Sequence, residues 1–190
     1  MRKILFAFAG LVFGNSWGQE RPKLVVGIVV DQMRYDYLTR FWDDYSKDGF
    51  KRLIGEGFDC KNTHYNYAPT ATGPGHASVY TGTSPSTHGI IGNNWFDKNL
   101  GSMVYCVADA AYNSVGTVSE AGKMSPHRLL TSTITDQLRL HSQKRSKVIS
   151  VSLKDRGAVL PGGHMANAAY WFEGSLNEGN WISSSYYMNE

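Results

Sequence analysis

Cysteine is scarce in this sequence, and so are long apolar runs and any large excess of one charge. The two cysteines, Cys60 and Cys106, form no CxxC unit. That excludes a zinc ribbon and a disulfide-rich scaffold. They allow a single pairing, which their spacing neither supports nor opposes. The N-terminal text MRKILFAFAGLVFGNSWGQE has an apolar run from Ile4 to Phe13, well short of the roughly 20 residues that span a bilayer. Arg2 and Lys3 precede it, and small residues ending at Ser16-Trp17-Gly18 follow. This layout predicts a secretory signal peptide over residues 1–18, and hence a periplasmic or secreted protein with no membrane span after cleavage. The formal net charge is +3, and cleavage removes two of those positive charges. A nearly neutral remainder has no basic face, which argues against nucleic acid as a partner.

What is present is a globular composition. Hydrophobic residues at 42% of 190 predict one packed domain over residues 19–190. Lys23 to Val30 (KLVVGIVV) is a continuous apolar, β-branched run, which reads as a strand buried on both faces. It ends at Asp31. Tyr35 to Phe58 reads as one or two helical pieces, with Phe50, Leu53 and Ile54 at helical spacing and Gly55 and Gly57 as stops. A second strand is expected over Phe58 to Tyr67. Ser125-Pro126 has the form of a helix start, and Leu130, Ile134 and Leu138 recur as a core stripe. Lys147 to Leu153 (KVISVSL) is another buried-strand run, followed at once by Lys154-Asp155-Arg156. The last residues, WFEGSLNEGNWISSSYYMNE, are aromatic-rich and strand-like. Strands alternating with helices predict an α/β fold with a largely parallel sheet.

In such sheets, ligands bind beyond the carboxyl ends of the strands. Three polar groups fall at such ends: Asp31, the turn-rich stretch from Tyr67 to Asp97, and the pair Lys154/Arg156. Each alone has an ordinary explanation, as a cap, a hydroxyl-rich loop or a solvated turn. Thr72 lies in PTATGPGH, just before a helical patch from Ala77 to Tyr80. That position is a helix N-terminus, which favours an anion. A Thr hydroxyl needs a base or a metal to become nucleophilic. His76, one turn along the same helix, reads as structural; Asp31 offers a better route by helping to hold a cation. Lys154 and Arg156, one residue apart in extended chain, would point to one side while Asp155 points away. Two fixed cations of this kind suit a phosphoryl group.

The blocks VVDQMRYDY, PTATGPGH, TGTSPSTHGIIGNNWFD and VSLKDR together resemble the PafA-type bacterial alkaline phosphatases. These belong to the alkaline phosphatase superfamily, with the nucleotide pyrophosphatases/phosphodiesterases. The resemblance covers essentially all of the chain after the signal. It implies an α/β/α sandwich, two zinc ions, a Thr nucleophile and a phospho-threonine intermediate. It also implies Asp31 and Thr72 as ligands of one zinc, Thr72 as nucleophile and Asn93 as a phosphate-binding amide. Lys154 and Arg156 become clamps that favour small-molecule phosphate monoesters over diesters, because a monoester carries more charge on its oxygens.

One departure bears on activity. A catalytic zinc usually takes at least three protein ligands, and Asp31 and Thr72 are the only ones that can be placed. His64, His88, His127, His141 and His164 follow no ligand pattern and read as structural or surface residues. The chain is therefore expected to be an N-terminal portion of the enzyme, with an incomplete sheet and little activity alone. The alternatives are a phosphodiesterase or nucleotide pyrophosphatase of the same superfamily, and a non-catalytic phosphate-binding remnant.

Overall fold

Ten residues that alternate Gly and Pro with small side chains would make a poor isolated helix, yet Thr72–Thr81 is α-helical and central to the fold. The computed structural model describes residues 22–175 and 177–189; the expected signal peptide lies outside them. In chain order, short helices α1 (Tyr37–Arg40) and α2 (Phe50–Glu56) precede α3 (Thr72–Thr81) and α4 (Pro85–His88). A hairpin of β1 (Asn94–Asp97) and β2 (Ser102–Tyr105) follows, then β3 (Ser114–Val115) and α5 (Ile134–His141). The chain continues with β4 (Ile149–Ser152), α6 (Asp155–Gly162), β5 (Ala168–Glu173) and β6 (Asn180–Ser184).

The larger sheet has the order β3-β6-β5-β4. β4 and β5 are parallel, while β5–β6 and β3–β6 are antiparallel. The parallel pair is joined through α6, whose last six residues, Gly157 to Gly162, are all buried. A helix this completely covered must be apolar on every side, and Ala158, Val159 and Leu160 meet that demand. They pack with Ala77 of α3, Ile90, Val107, Trp171 and Ile182 into one core. Each large aliphatic side chain so buried contributes roughly 1.5–3 kcal/mol.

Three expected elements differ. Lys23 to Val30 has no regular secondary structure and joins no sheet, and Leu24 and Ile28 are exposed. An apolar strand buries both faces only when something covers both. Here the segment borders an apolar groove of about 580 Å³ shared with Val79, Ile134, Leu138 and the edge strand β4. Phe58 to Tyr67 forms no strand, with one turn at Lys61-Asn62, and Phe58 is almost fully exposed.

The third difference is the helix expected at Ser125-Pro126. It starts instead at Ile134, because Thr133 and Asp136 close a capping box there: the Thr133 hydroxyl accepts from the Asp136 N–H at 3.0 Å and the Asp136 carboxylate accepts from the Thr133 N–H at 2.9 Å. Ser125 is a buried turn residue whose hydroxyl donates to Asp109. The expected stripe is reversed as well. Ile134 and Leu138 are exposed, and α5 buries Asp136 and Arg139 instead. Arg139 is held by the carbonyls of Met165, Lys144 and Ser146. His164 bridges Asp136 at 3.2 Å and the Leu129 carbonyl at 3.0 Å. A buried charge of this kind is tolerated only when fully paired.

Candidate active site

The site grows from the N-termini of two helices. α3 begins at Thr72, with Ala71 as its extended N-cap, and ends at Gly82 in the left-handed conformation. Its first turn presents the positive end of the helix dipole beside the Thr72 hydroxyl. That hydroxyl donates to the Asp31 carboxylate at 3.0 Å. Asp31 therefore reaches Thr72 although the segment before it joins no sheet. The other Asp31 oxygen accepts from the Gln32 N–H at 3.1 Å, with Gln32 at a φ of 59°.

Asn93 meets the next residue of α3. Its side-chain oxygen accepts from the Gly73 N–H at 2.7 Å, which leaves its amide N–H groups to face an acceptor. The approach is close: a Cβ on Gly73 would lie 3.1 Å from the Asn93 oxygen and 3.3 Å from the Cys106 sulfur. Glycine at 73 is what lets the hairpin seat against α3. His76 is buried and bonds the Thr72 carbonyl at 2.8 Å through Nδ1. It supports the turn, as the sequence suggested. Burial, then the neighbouring Tyr67 and Asp31, pushes the Tyr65 hydroxyl above its usual range.

The second helix terminus carries the cations. Lys154 is the N-cap of α6, while Asp155 and Arg156 form its first turn. The expectation of extended chain is corrected here: a helical turn places successive side chains about 100° apart rather than on opposite sides. Asp155 does not point away. It accepts from the Tyr105 hydroxyl at 2.5 Å, and Arg156 Nη1 donates to that hydroxyl at 2.8 Å. Burial opposes the Arg156 charge, but the bond to Tyr105 and the nearby Asp155 outweigh it and hold the guanidinium more firmly protonated than usual. The Lys154 side chain is exposed and has no hydrogen bond or ion pair among the described residues.

Sequence reasoning missed Tyr105, Asp155 and Cys106. Tyr105 is 51 positions from Arg156, and only the hairpin brings them together. Both cysteines are free; Cys60 is exposed and Cys106 buried, so the open pairing is not made. Burial and the Asp155 charge push the Cys106 thiol up to about 12, so it packs as a neutral group.

The donor set for a metal is small. Among the described residues no three His, Cys, Asp or Glu side chains cluster as a metal site. Asp31 and Thr72 offer two converging groups, short of the three protein ligands usual for a catalytic zinc. These residues do not by themselves fit a complete zinc site.

The sequence profile of the type I phosphodiesterase/nucleotide pyrophosphatase family matches residues 25–190. The chain belongs to that family. It is 58% identical over 170 residues to alkaline phosphatase PhoV of Synechococcus elongatus, covering 90% of this chain and 30% of PhoV. It is 50% identical over 171 residues to alkaline phosphatase PafA of Elizabethkingia meningoseptica, covering 90% of this chain and 31% of PafA. The crystal structure of wild-type PafA superposes with a TM-score of 0.86 at 50% identity, over 90% of this chain and 32% of that one. A PafA variant with one Thr, one Asn, one Lys and one Arg replaced matches at the same TM-score and 48% identity, over 90% of this chain and 33% of that one. The alkaline-phosphatase-like α/β fold is thus borne out, with the sheet open at β4. The largely parallel sheet expected is not seen among the described residues, where β4–β5 is parallel and the other strand pairs are antiparallel. The chain spans about a third of the length of these relatives.

Proposed function

We propose that the whole protein is an exported phosphomonoesterase of the alkaline phosphatase type, acting on small-molecule phosphate esters. The observation that carries this reading is the convergence of Thr72, Asp31 and Asn93 at the start of α3, with the cationic start of α6 packed against the same hairpin. The replaced side chains of the matching PafA variant are of the same four types as Thr72, Asn93, Lys154 and Arg156. In the proposed reaction the Thr72 hydroxyl gives up its proton as its oxygen attacks phosphorus. The alkoxide leaves with the bonding electron pair and takes up a proton to become the alcohol. Water then cleaves the phospho-threonine, returning the hydroxyl and releasing inorganic phosphate.

Asp31 orients the Thr72 hydroxyl and accepts its hydrogen bond. The Asn93 amide and the Lys154 and Arg156 side chains meet the charge on the phosphoryl oxygens. Two zinc ions, expected from the resemblance, would take Asp31 and Thr72 only as part of their ligand set, with the rest from outside the described residues; when bound, such an ion lowers the pKa of a hydroxyl. The 190-residue chain alone is expected to turn over little substrate.

The family profile favours a second reading, a phosphodiesterase or nucleotide pyrophosphatase. Monoester and diester turnover by the full-length protein separates the two. Lys154→Ala and Arg156→Ala are each expected to lower the monoester-to-diester ratio of kcat/KM by about tenfold or more. A wild-type preference for diesters would overturn the monoesterase assignment.

A further inference from the structure

Arg156 is a long side chain on the first turn of a helix, and a guanidinium that clamps phosphate must be held still. Left free it carries about 2 kcal/mol of rotamer entropy, which it loses on binding. Asp155 is the obvious partner, but its oxygen is 3.8 Å from Arg156 Nη1, too far for a hydrogen bond. The link runs through Tyr105 instead. One phenol donates to Asp155 at 2.5 Å and accepts from Nη1 at 2.8 Å. Its ring centroid lies 5.9 Å from the guanidinium carbon, within cation–π range.

Tyr105 is itself fixed. It ends β2 opposite Asn94, its carbonyl accepts from Arg128 Nε at 3.3 Å, and the next N–H, of Cys106, donates to the Asn93 carbonyl at 2.9 Å. One hairpin thus sets both the Asn93 amide and the anchor of Arg156. With Nη1 engaged by Tyr105, Arg156 Nε is buried and has no hydrogen-bond partner among the described residues. A buried N–H without an acceptor is costly, and a phosphoryl oxygen is an acceptor of the kind a guanidinium takes best.

We propose that Tyr105 is the positioning residue for Arg156, and that through it the β1–β2 hairpin sets the preference for phosphate monoesters over diesters. The proposal rests on Arg156 being a phosphate clamp. Burial, then the charge and hydrogen bond of Asp155, hold the Tyr105 hydroxyl far above its usual range, so the phenol keeps the proton it donates.

The test is the monoester-to-diester ratio of kcat/KM in the full-length protein, with an aryl phosphate and the matching methyl aryl diester as substrates. Tyr105→Phe is expected to lower the ratio about tenfold, the scale of one hydrogen bond to a charged group. In an Arg156→Ala background the same change is expected to move the ratio less than about twofold, because the group being positioned is gone. Equal losses with both substrates, or a further drop of the ratio without Arg156, would overturn the proposal. If Tyr105→Phe does not fold, Asp155→Ala, which removes the phenol's acceptor, must shift the ratio in the same direction. An unchanged ratio in that variant also overturns it. If Arg156→Ala alone leaves the ratio at the wild-type value, the clamp reading fails and takes Tyr105 with it. A ratio shifted by Arg156→Ala but not by Tyr105→Phe sinks Tyr105 only.

Discussion

Residues 22–72 and residues 73–189 are built differently. The first stretch contains no buried residue, although Leu24, Val25, Val26 and Ile28 are among the most apolar in the chain. The second contains the whole buried core, from Ala77 to Tyr187. Apolar content therefore does not decide which part packs; what decides is whether covering elements lie within reach. α6 is enclosed by α3, β4 and β5, whereas the Lys23 to Val30 run meets an open groove. Yet the site draws on both, because Asp31 comes from the exposed part and Thr72 stands at the boundary.

Substitutions in the two parts should differ sharply in cost. The largest loss of stability is expected for Asp136→Ala, which removes a capping box and leaves His164 without its carboxylate. About 3 kcal/mol is the scale for breaking a buried pair, to be read as a lower urea midpoint. The pair also makes a pH prediction. Burial raises the Asp136 pKa, but bonds from His164, Thr133 and Met165 outweigh it and hold the group below the usual range. The bond to Asp136 holds His164 above its usual range. Their contribution is thus full between about pH 4 and pH 6.5. It fades as pH rises through the raised His164 value, and again as pH falls through the lowered Asp136 value. In urea melts run across pH, a His164→Gln variant should no longer lose stability at rising pH, while the acid arm from Asp136 persists through its Thr133 and Met165 bonds.

An intermediate effect is expected for Gly73→Ala. The added methyl presses on Asn93 and Cys106, and should lower full-length turnover about tenfold while moving Tm by only a few degrees. The smallest belongs to Val29→Ala in the uncovered run, within about 0.5 kcal/mol in this chain. A loss near 3 kcal/mol there would mean the run is packed after all, and would break the contrast.

Much of the site was legible because its signals are local. Thr72 announces a helix start through the Pro and Gly around it, and Lys154 and Arg156 follow a strand directly. What was not legible depends on distance along the chain. The Lys23 to Val30 run has the composition of a buried strand, but its burial depends on partners that composition does not name. The α5 start could have been read from Thr133 and Asp136, three apart; Ser125-Pro126 offered a competing start that a tertiary bond to Asp109 and a local one to His127 turned into a bend. Tyr105 carries no motif, and only the hairpin register makes it Arg156's neighbour.

The central claim is that Thr72 is the group that attacks phosphorus. The direct test is acid quenching of the full-length protein during turnover of a radiolabelled phosphate monoester, followed by peptide mapping. The label is expected on the peptide containing Thr72, and Thr72→Ala should abolish it while lowering turnover by at least about a thousandfold. Label on any other residue, or a Thr72→Ala protein with near wild-type turnover, would contradict the account.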